Sequence, residues 1–365
     1  MAHEFIYSQP VKIYFGAGKF EQLGEILSEL GLSRCVLVCG RHFAPTAQAL
    51  QEKDSRIVAI FGAVEQNPQL SGVAETTRLA RETKADAVIG IGGGSAIDTA
   101  KFAAAIALGD GEAIEYYHGE KSFPEERLTI IAVPTTAGTG SEVTQVSVIS
   151  HETEKKTINN PVFMPKVAVV DPVLSSTVPP RTTMNTGLDA MAHALEGYWS
   201  KNHQPISDLM AIESVRLVLE NLETAYRDGS NMEARSNMAY ASLLGGLSFA
   251  LPKTAASHAC SYPLSEDYHL PHGEAVAFTL DSFVRINADE RLELLCRRIG
   301  LSGSEELAER IAALKKLGDL RTRLSDLGDV DLDKLAHDCA VHGLMNNNPV
   351  RLSEAELKAM FEKLA

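Results

Sequence analysis

The first half of the chain alternates short apolar runs with stretches whose apolar residues recur at helical spacing. One such helical stretch covers residues 70–84. This strand–helix alternation predicts an α/β domain with a largely parallel sheet. The apolar runs expected to be buried strands are residues 34–39, 57–61, 86–91, 129–133 and 167–170.

The pattern changes after Pro179–Pro180, because nearly every later segment has the periodicity of a helix. With 365 residues, the chain exceeds the ~250–300 residues that one core usually organises. We therefore expect an α/β domain over residues 1–178 and an all-helical domain over residues 179–365. The expected helices are 186–199, 205–227, 231–250, 254–262, 273–287, 289–298, 304–314, 331–343 and 353–364.

Composition and charge exclude several classes of protein. A hydrophobic content of 45% and a charged content of 22% are ordinary for a globular protein. The net charge of -14 disfavours nucleic acids and anionic membrane surfaces as partners. We find neither a bilayer-length apolar stretch nor a signal-peptide pattern. The five cysteines lack zinc-ribbon spacing, so we expect reduced thiols in a cytoplasmic protein.

Two glycine-rich turns follow predicted strands. GIGGGSAIDTAK, residues 90–101, leads from a strand into a helix whose free N–H groups suit a diphosphate. PTTAGTGSE, residues 134–142, follows another strand. A single glycine turn is equally compatible with a plain strand–helix connection, but two turns at strand ends favour a nucleotide site. The residues expected at the first turn are Gly92, Gly93, Gly94, Ser95 and, one helical turn later, Asp98.

Four residues have the chemistry of a metal site. Asp189 and His193 are four apart on a predicted helix and so share one face. His258 and His272 are 14 residues apart, the second within Pro271–His272–Gly273. One carboxylate and three imidazoles suit Fe(II), Zn(II) or a related divalent ion. A lone D-x-x-x-H pair is commonly an ordinary side-chain contact and a lone histidine a core residue, but the four together favour a metal.

These motifs together resemble the iron-containing alcohol dehydrogenases. GGGSAIDTAK, PTTAGTGSEVT, DAMAHALEGY and the H-x13-H pair carry the likeness, which runs from Phe15 to Pro349. The resemblance implies a dinucleotide-binding domain and a helical domain with a cleft between them, as in the dehydroquinate synthase-like architecture. It also implies NAD(H) or NADP(H), and a divalent metal that is usually iron and sometimes zinc. The implied metal ligands are Asp189, His193, His258 and His272.

The resemblance assigns further cofactor-binding residues. At the end of strand 34–39, Gly40 and Arg41 stand where NAD-specific members often carry an aspartate. We therefore expect the protein to accept NADP(H), with Arg41 pairing with the 2′-phosphate of the cofactor. The alternative is that Arg41 is a solvated loop residue. The second cofactor loop and a cofactor-side lysine are matched by Thr135, Thr136, Thr139 and Lys156.

The implied reaction is reversible hydride transfer between a nicotinamide and a carbonyl carbon, with the metal as a Lewis acid at the substrate oxygen. The expected catalytic residues are Tyr262, His258 and His272. Tyr262 stands four residues after His258, where many members carry a histidine near the nicotinamide. Its hydroxyl either relays protons or simply packs.

The segment 252–273 is similar to reductases of phosphonoacetaldehyde and sulfoacetaldehyde, so a small anionic aldehyde is the expected substrate. Lys253, Ser257 and Arg351 are candidate anion-binding residues; alternatively Lys253 caps a helix and Arg351 faces water. The alternative substrate is an ordinary short-chain alcohol, of the ethanol, lactaldehyde or propanediol type.

Four rival classes fit the motifs less well. A glycerol dehydrogenase-like enzyme or a dehydroquinate synthase-like lyase has different metal motifs. A maleylacetate reductase-like enzyme dispenses with the metal, and a non-enzymatic nucleotide-binding regulator needs no four-ligand site. Because dimers are common in such families, we expect a homodimer.

Overall fold

The structure is a computed structural model that describes residues 4–152 and 154–364. It contains two compact units. The α/β unit consists of residues 8–136 and 141–175. The helical unit consists of residues 4–7, 137–140 and 176–364.

Parallel strands form the main sheet of the α/β unit. The strands are β1 (Lys12–Phe15), β2 (Cys35–Gly40), β3 (Ile57–Val64), β4 (Ala87–Gly92), β5 (Thr129–Pro134), β6 (Val146–His151), β7 (Glu154–Asn159) and β8 (Val167–Val170). The six-stranded sheet has the order β1-β8-β5-β4-β2-β3, and all its pairings are parallel. Strands β6 and β7 form a separate antiparallel hairpin. The predicted parallel α/β sheet is therefore confirmed.

Helices cover both faces of this sheet, which explains the continuous apolar runs of its strands. They are α1 (Leu23–Glu29), α2 (Ala44–Lys53), α3 (Leu70–Glu82), α4 (Gly94–Ile106) and α5 (Ala113–His118). Neighbouring strand residues face opposite sides. Leu37 packs in the core that contains residues of α1 and α2, whereas Val36 and Val38 pack with Ala100 and Ala104 of α4.

The helical unit is organised around one core. Its helices are α6 (Pro180–Trp199), α7 (Pro205–Arg227), α8 (Met232–Phe249), α9 (Ala256–Glu266), α10 (His272–Ile286), α11 (Glu290–Arg298), α12 (Ser304–Leu317), α13 (Leu332–Val341) and α14 (Glu354–Glu362). The predicted all-helical half is confirmed. Helix α6 starts earlier than expected, because Pro180 occupies its first turn, where a fixed φ favours helix and no N–H is needed.

Helix α6 lies in the middle of this core and touches α8 closely. A Cβ atom at Gly197 would lie 2.9 Å from the carbonyl oxygen of Ser248. A Cβ at Gly245 would lie 3.0 Å from the carbonyl oxygen of Ala190. Glycine at these two positions thus permits the close approach that places the side chains of α6 against those of neighbouring helices.

In the part of the chain that the structure describes, no helix has the length and apolar character needed to cross a membrane. All five cysteines are buried and unpaired.

Candidate metal centre

Three helices bring the four predicted metal residues together. Asp189 and His193 lie one turn apart on α6, and both are buried. His258 lies in the first turn of α9 and His272 is the first residue of α10. Gly273 is required there, because a Cβ on it would lie 2.2 Å from the backbone oxygen of Asn185 on α6.

The ligand atoms converge on one point. Asp189 Oδ1 is 3.5 Å from His258 Nε2, 3.7 Å from His272 Nε2 and 3.9 Å from His193 Nε2. The ligand atoms of Asp189, His258 and His272 all lie within 4.8 Å of one another. His193 joins them because its Nε2 is 3.1 Å from His258 Nε2.

Hydrogen bonds to the Nδ1 atoms of His193 and His258 leave the Nε2 atoms of the neutral rings with free lone pairs. His193 Nδ1 lies 3.1 Å from the carbonyl oxygen of Gly138, and His258 Nδ1 lies 2.5 Å from Glu196 Oε2. Each partner only accepts, so the proton of each neutral ring is assigned to Nδ1. When both rings are neutral, neither of the two facing Nε2 atoms carries a proton. Among the described residues, the buried Asp189 Oδ1 has no hydrogen-bond partner. This donor set fits a divalent cation.

The charges of the centre are strongly coupled. Burial opposes ionisation of Asp189, but the three histidines together hold the pKa of its carboxyl group below the usual value. Burial also opposes the charged form of His258, yet Glu196 and Asp189 raise the pKa of its imidazole to about 9. A proton and a metal ion therefore compete for His258.

Other predicted site residues lie on or near α9. Tyr262 is one turn after His258, and its ring stacks on His342 with centroids 4.3 Å apart. His342, which the sequence analysis missed, has an imidazole pKa lowered by burial and by the charge of His258. The buried hydroxyl of Ser257 has no hydrogen-bond partner in the part of the chain that the structure describes. Lys253 is exposed in a left-handed backbone conformation, with φ of 68°.

Arg351 lies in a different setting. It lines a cavity of about 500 Å³ with residues of α13 and α14, such as Val341 and Glu354. The four metal residues are absent from that lining.

The first glycine turn occupies the carboxyl end of β4. Gly92 has a φ of 153°, and Gly93 precedes the first residue of α4. The amide of Thr135 donates to the Gly92 carbonyl, and a Cβ on Gly93 would lie 3.3 Å from Thr136 Oγ1. Ser95 does not cap α4; its hydroxyl donates to the Gln66 carbonyl. The turn therefore lies beside Thr135 and Thr136.

Thr139 belongs to the short segment 137–140, which groups with the helical unit. Glycines allow this segment to approach helices closely. A Cβ on Gly138 would lie 2.9 Å from the Thr186 carbonyl oxygen, and one on Gly140 would lie 2.4 Å from Gly246 Cα.

Gly40 ends β2, and the next residue, Arg41, lines a cavity of about 210 Å³ in the α/β unit. Glu65, just beyond β3, lines the same cavity, as do Ser71 and Thr99. The carboxylate of Glu65 was not anticipated from the sequence. The cavity thus presents one cationic and one anionic side chain.

Asp98, predicted to lie at the cofactor turn, forms hydrogen bonds with other residues of the protein. It is only 8% exposed and accepts hydrogen bonds from the Ser141 hydroxyl and the Val148 amide. The fully buried Lys101 ammonium lies 3.8 Å away and donates to Ser141 Oγ and the Val146 carbonyl. This network joins α4 to the chain that follows the second glycine turn.

The two lysines of β7 have different neighbours. Lys156 Nζ lies 4.7 Å from the centroid of the Tyr117 ring and 3.3 Å from Glu154. The charge of Lys155 is one of those that act on Asp98, whose carboxyl pKa burial nevertheless raises. Successive strand residues face opposite sides, so Lys155 is the lysine directed to the Asp98 network.

Comparison with known proteins covers the whole chain. The family profile "Iron-containing alcohol dehydrogenase" matches residues 10–172, and "Fe-containing alcohol dehydrogenase family, C-terminal" matches residues 183–365. Long-chain-alcohol dehydrogenase 1 of Geobacillus thermodenitrificans is 34% identical over 97% of this chain and 95% of that protein. The 1,3-propanediol dehydrogenase of Klebsiella pneumoniae is 33% identical over 98% of each.

Among solved structures, the sulfoacetaldehyde reductase from Bifidobacterium kashiwanohense in complex with NAD+ superposes with a TM-score of 0.95. It is 38% identical, and the match covers 100% of this chain and 99% of that one. Fold and relatives together define an oxidoreductase of alcohols and aldehydes. Within that class, the chain belongs to the iron-containing alcohol dehydrogenase family, as the motifs had indicated.

The buried Lys101 leads to a testable pH dependence. Burial lowers the pKa of its ammonium group from 10.5 to about 8. Between these values the unfolded chain holds a proton that the folded chain has released, so Lys101 adds stability as pH rises through this window. We expect the unfolding free energy of the wild type, minus that of Lys101→Met, to increase from pH 8 to pH 10. Denaturant unfolding measures it.

Lys166→Met is the matched control, because Lys166 is exposed. Its difference from the wild type should stay constant with pH. A constant difference for Lys101→Met as well would contradict the prediction.

Proposed function

We propose that Asp189, His193, His258 and His272 hold the catalytic metal of this oxidoreductase. The observation that supports this most directly is the pair of imidazole nitrogens that face each other at 3.1 Å. They lie beside a buried carboxylate oxygen that has no hydrogen-bond partner among the described residues. Iron is the metal that the family name indicates; zinc suits the same nitrogen and oxygen donors.

In the proposed reaction an aldehyde gains one hydride and one proton to become a primary alcohol. A bound divalent ion supplies Lewis acidity at the substrate oxygen. The chain itself orients the reactants. In this proposal the N–H groups at the start of α4 bind the diphosphate of NAD(P)H, supported by the free donors that a helix N-terminus offers. Tyr262, one turn beyond His258 on α9, is the proposed proton-exchanging group.

Asp189→Asn tests the metal site. An amide keeps the size of the side chain but removes the negative charge that faces three imidazoles. Zinc or iron affinity should fall more than ~100-fold, beyond what loss of an outer hydrogen-bond partner costs, and activity should fall with it. Chelator competition and aldehyde-dependent NADH oxidation measure both.

The matched control is Asp228→Asn, which alters a carboxylate in contact with Ser230. It should keep wild-type metal content and activity. Full turnover by metal-free Asp189→Asn would defeat the proposed site.

We further propose that the substrate is a short aldehyde carrying an anionic group. Two facts support it: the similarity over the whole chain to a sulfoacetaldehyde reductase, and an exposed cation, Lys253, five residues before His258. The ammonium group of Lys253 has no partner among the described residues. The buried Ser257 hydroxyl next to His258 is a second available donor.

A substrate comparison tests this idea. With metal-loaded enzyme, kcat/KM should be higher for sulfoacetaldehyde or phosphonoacetaldehyde than for propionaldehyde. Lys253→Ala should raise KM about 10- to 100-fold for the anionic aldehydes alone, since one charged hydrogen bond contributes roughly 1.5–3 kcal/mol. Arg351→Ala is compared in the same assay.

Lys84→Ala is the control, because Lys84 is likewise exposed in a left-handed conformation, with φ of 49°, but lies in the α/β unit. Equal kcat/KM for charged and uncharged aldehydes would point instead to a general short-chain alcohol dehydrogenase.

For the cofactor, we propose that NADPH is accepted alongside NADH. Arg41 is exposed and its guanidinium group has no partner among the described residues, so it is available to a 2′-phosphate. Glu65 in the same cavity opposes this, because a carboxylate repels that phosphate and suits a ribose hydroxyl.

Two substitutions of opposite sign test this balance. Arg41→Ala should raise KM for NADPH about tenfold, as expected from loss of one charged pair, with little change for NADH. Glu65→Gln should lower KM for NADPH. A NADPH preference that neither substitution alters would contradict the proposal.

We retain a homodimer in the cytoplasm as a prediction. Within residues 4–152 and 154–364, strand β1 pairs with β8 alone, which leaves one edge open. Strands of two subunits are able to pair at such an edge.

A further inference from the structure

Glu196 is a buried carboxylate with an unusual set of contacts. It lies on α6, three residues after His193, and its side chain is inaccessible to solvent. It forms no ion pair with a lysine or arginine among the described residues; the basic group that it contacts is His258. A fully buried carboxylate of this kind is costly unless hydrogen bonds compensate its charge.

Four donors supply that compensation, and all come from one short segment. Glu196 Oε2 accepts from the Ala255 amide at 2.9 Å and from His258 Nδ1 at 2.5 Å. Glu196 Oε1 accepts from the Ser257 amide at 2.5 Å and the His258 amide at 3.2 Å. Each oxygen of the carboxylate therefore accepts two hydrogen bonds.

Three of these donors are the free N–H groups that begin α9. Ala255, the N-cap residue, has no side chain able to accept them. Glu196 therefore caps α9 from a different helix and places a negative charge at the positive end of its dipole. The start of α9, which carries His258, is thus attached to α6, which carries Asp189 and His193.

The fourth donor decides the chemistry of His258. Because Glu196 accepts at Nδ1, the neutral ring keeps its proton there and presents Nε2 as a lone pair towards His193 and Asp189. With a donor in place of Glu196, the proton would move to Nε2 and point into the metal site.

We propose that Glu196 is a positioning residue of the metal centre, which sets both the orientation and the tautomer of His258 without touching the metal. The proposal rests on the metal site assigned above. It also gives the carboxylate two separable roles: it caps α9 and it orients the imidazole.

Glu196→Gln keeps the size of the side chain but removes its negative charge and one accepting oxygen. An amide offers one accepting oxygen to four donors and directs its own N–H groups at the others. Zinc affinity, measured by competition with a chromophoric chelator, should fall roughly 10–100-fold, as for other outer partners of metal-bound histidines. The visible spectrum of the cobalt-loaded protein should change as well. Glu196→Asp should restore part of the affinity.

Asp208→Asn is the matched control. Asp208 also contacts a histidine nitrogen, His203 Nδ1 at 3.0 Å, within the same unit. Its loss should leave zinc affinity and the cobalt spectrum unchanged. If the wild type binds neither zinc nor iron, the proposed function fails; if it binds and Glu196→Gln binds equally tightly, the role of Glu196 alone fails.

Two further variants separate positioning from capping. In a His258→Gln background, Glu196→Gln should cost no additional zinc affinity, because residues that act as one unit are not additive. Ala255→Ser offers α9 a local cap and should restore thermal stability to Glu196→Gln without restoring affinity. Recovery of wild-type affinity with Ala255→Ser would overturn the proposal, because capping alone would then explain the contacts.

A measurement on the wild type needs no substitution. In the zinc-loaded protein, nitrogen-15 spectra of the histidines should show His258 protonated at Nδ1, with a strongly downfield proton. An Nε2-protonated His258 would overturn the proposal even if no Glu196 variant folds.

Discussion

Two imidazole nitrogens that face each other across 3.1 Å beside a buried carboxylate are the constraint on which the metal centre depends. When both rings are neutral, their lone pairs repel each other unless a proton or a metal ion lies between them. Neither ring is free to turn its proton inward, because Gly138 and Glu196 accept on the outer side of His193 and His258. These hydrogen bonds therefore favour a cation between the inner nitrogens, for which a metal ion competes with a proton.

Close helix packing creates this arrangement. Gly197 and Gly245 bring α6 and α8 together, and Gly273 allows α10 to begin against α6. The ring of Phe249, at the end of α8, stacks on His193 with centroids 4.2 Å apart. Rigid contacts of this kind restrict ring rotation, so that the ligand atoms are already arranged before a cation arrives. Preorganisation of the ligands favours tight binding.

Spacing along a helix made Asp189 and His193 predictable, because residues four apart share a face. The parallel sheet was equally accessible, since strands buried on both faces leave continuous apolar runs. The hairpin of residues 146–159 left no such signal, because its second strand is largely polar. Without knowing which side of that strand each residue faces, the sequence could not show whether Lys155 or Lys156 is directed to the Asp98 network. Glu196 was predictable from the same spacing, because it lies seven residues after Asp189 and three after His193, on their face of α6.

Segment 137–140 has a consequence for recombining this chain with its relatives. Those residues precede the last strand of the α/β unit, yet they belong to the helical unit, and the Gly138 carbonyl holds His193. A chimera joined near residue 175 would take the histidine from one parent and its backbone acceptor from the other. Parents whose glycine turns differ by even a small backbone shift would misalign that ring. A chimera that exchanges the helical unit within this family must therefore take segment 137–140 from the same parent as the helices, although that segment precedes them in the sequence.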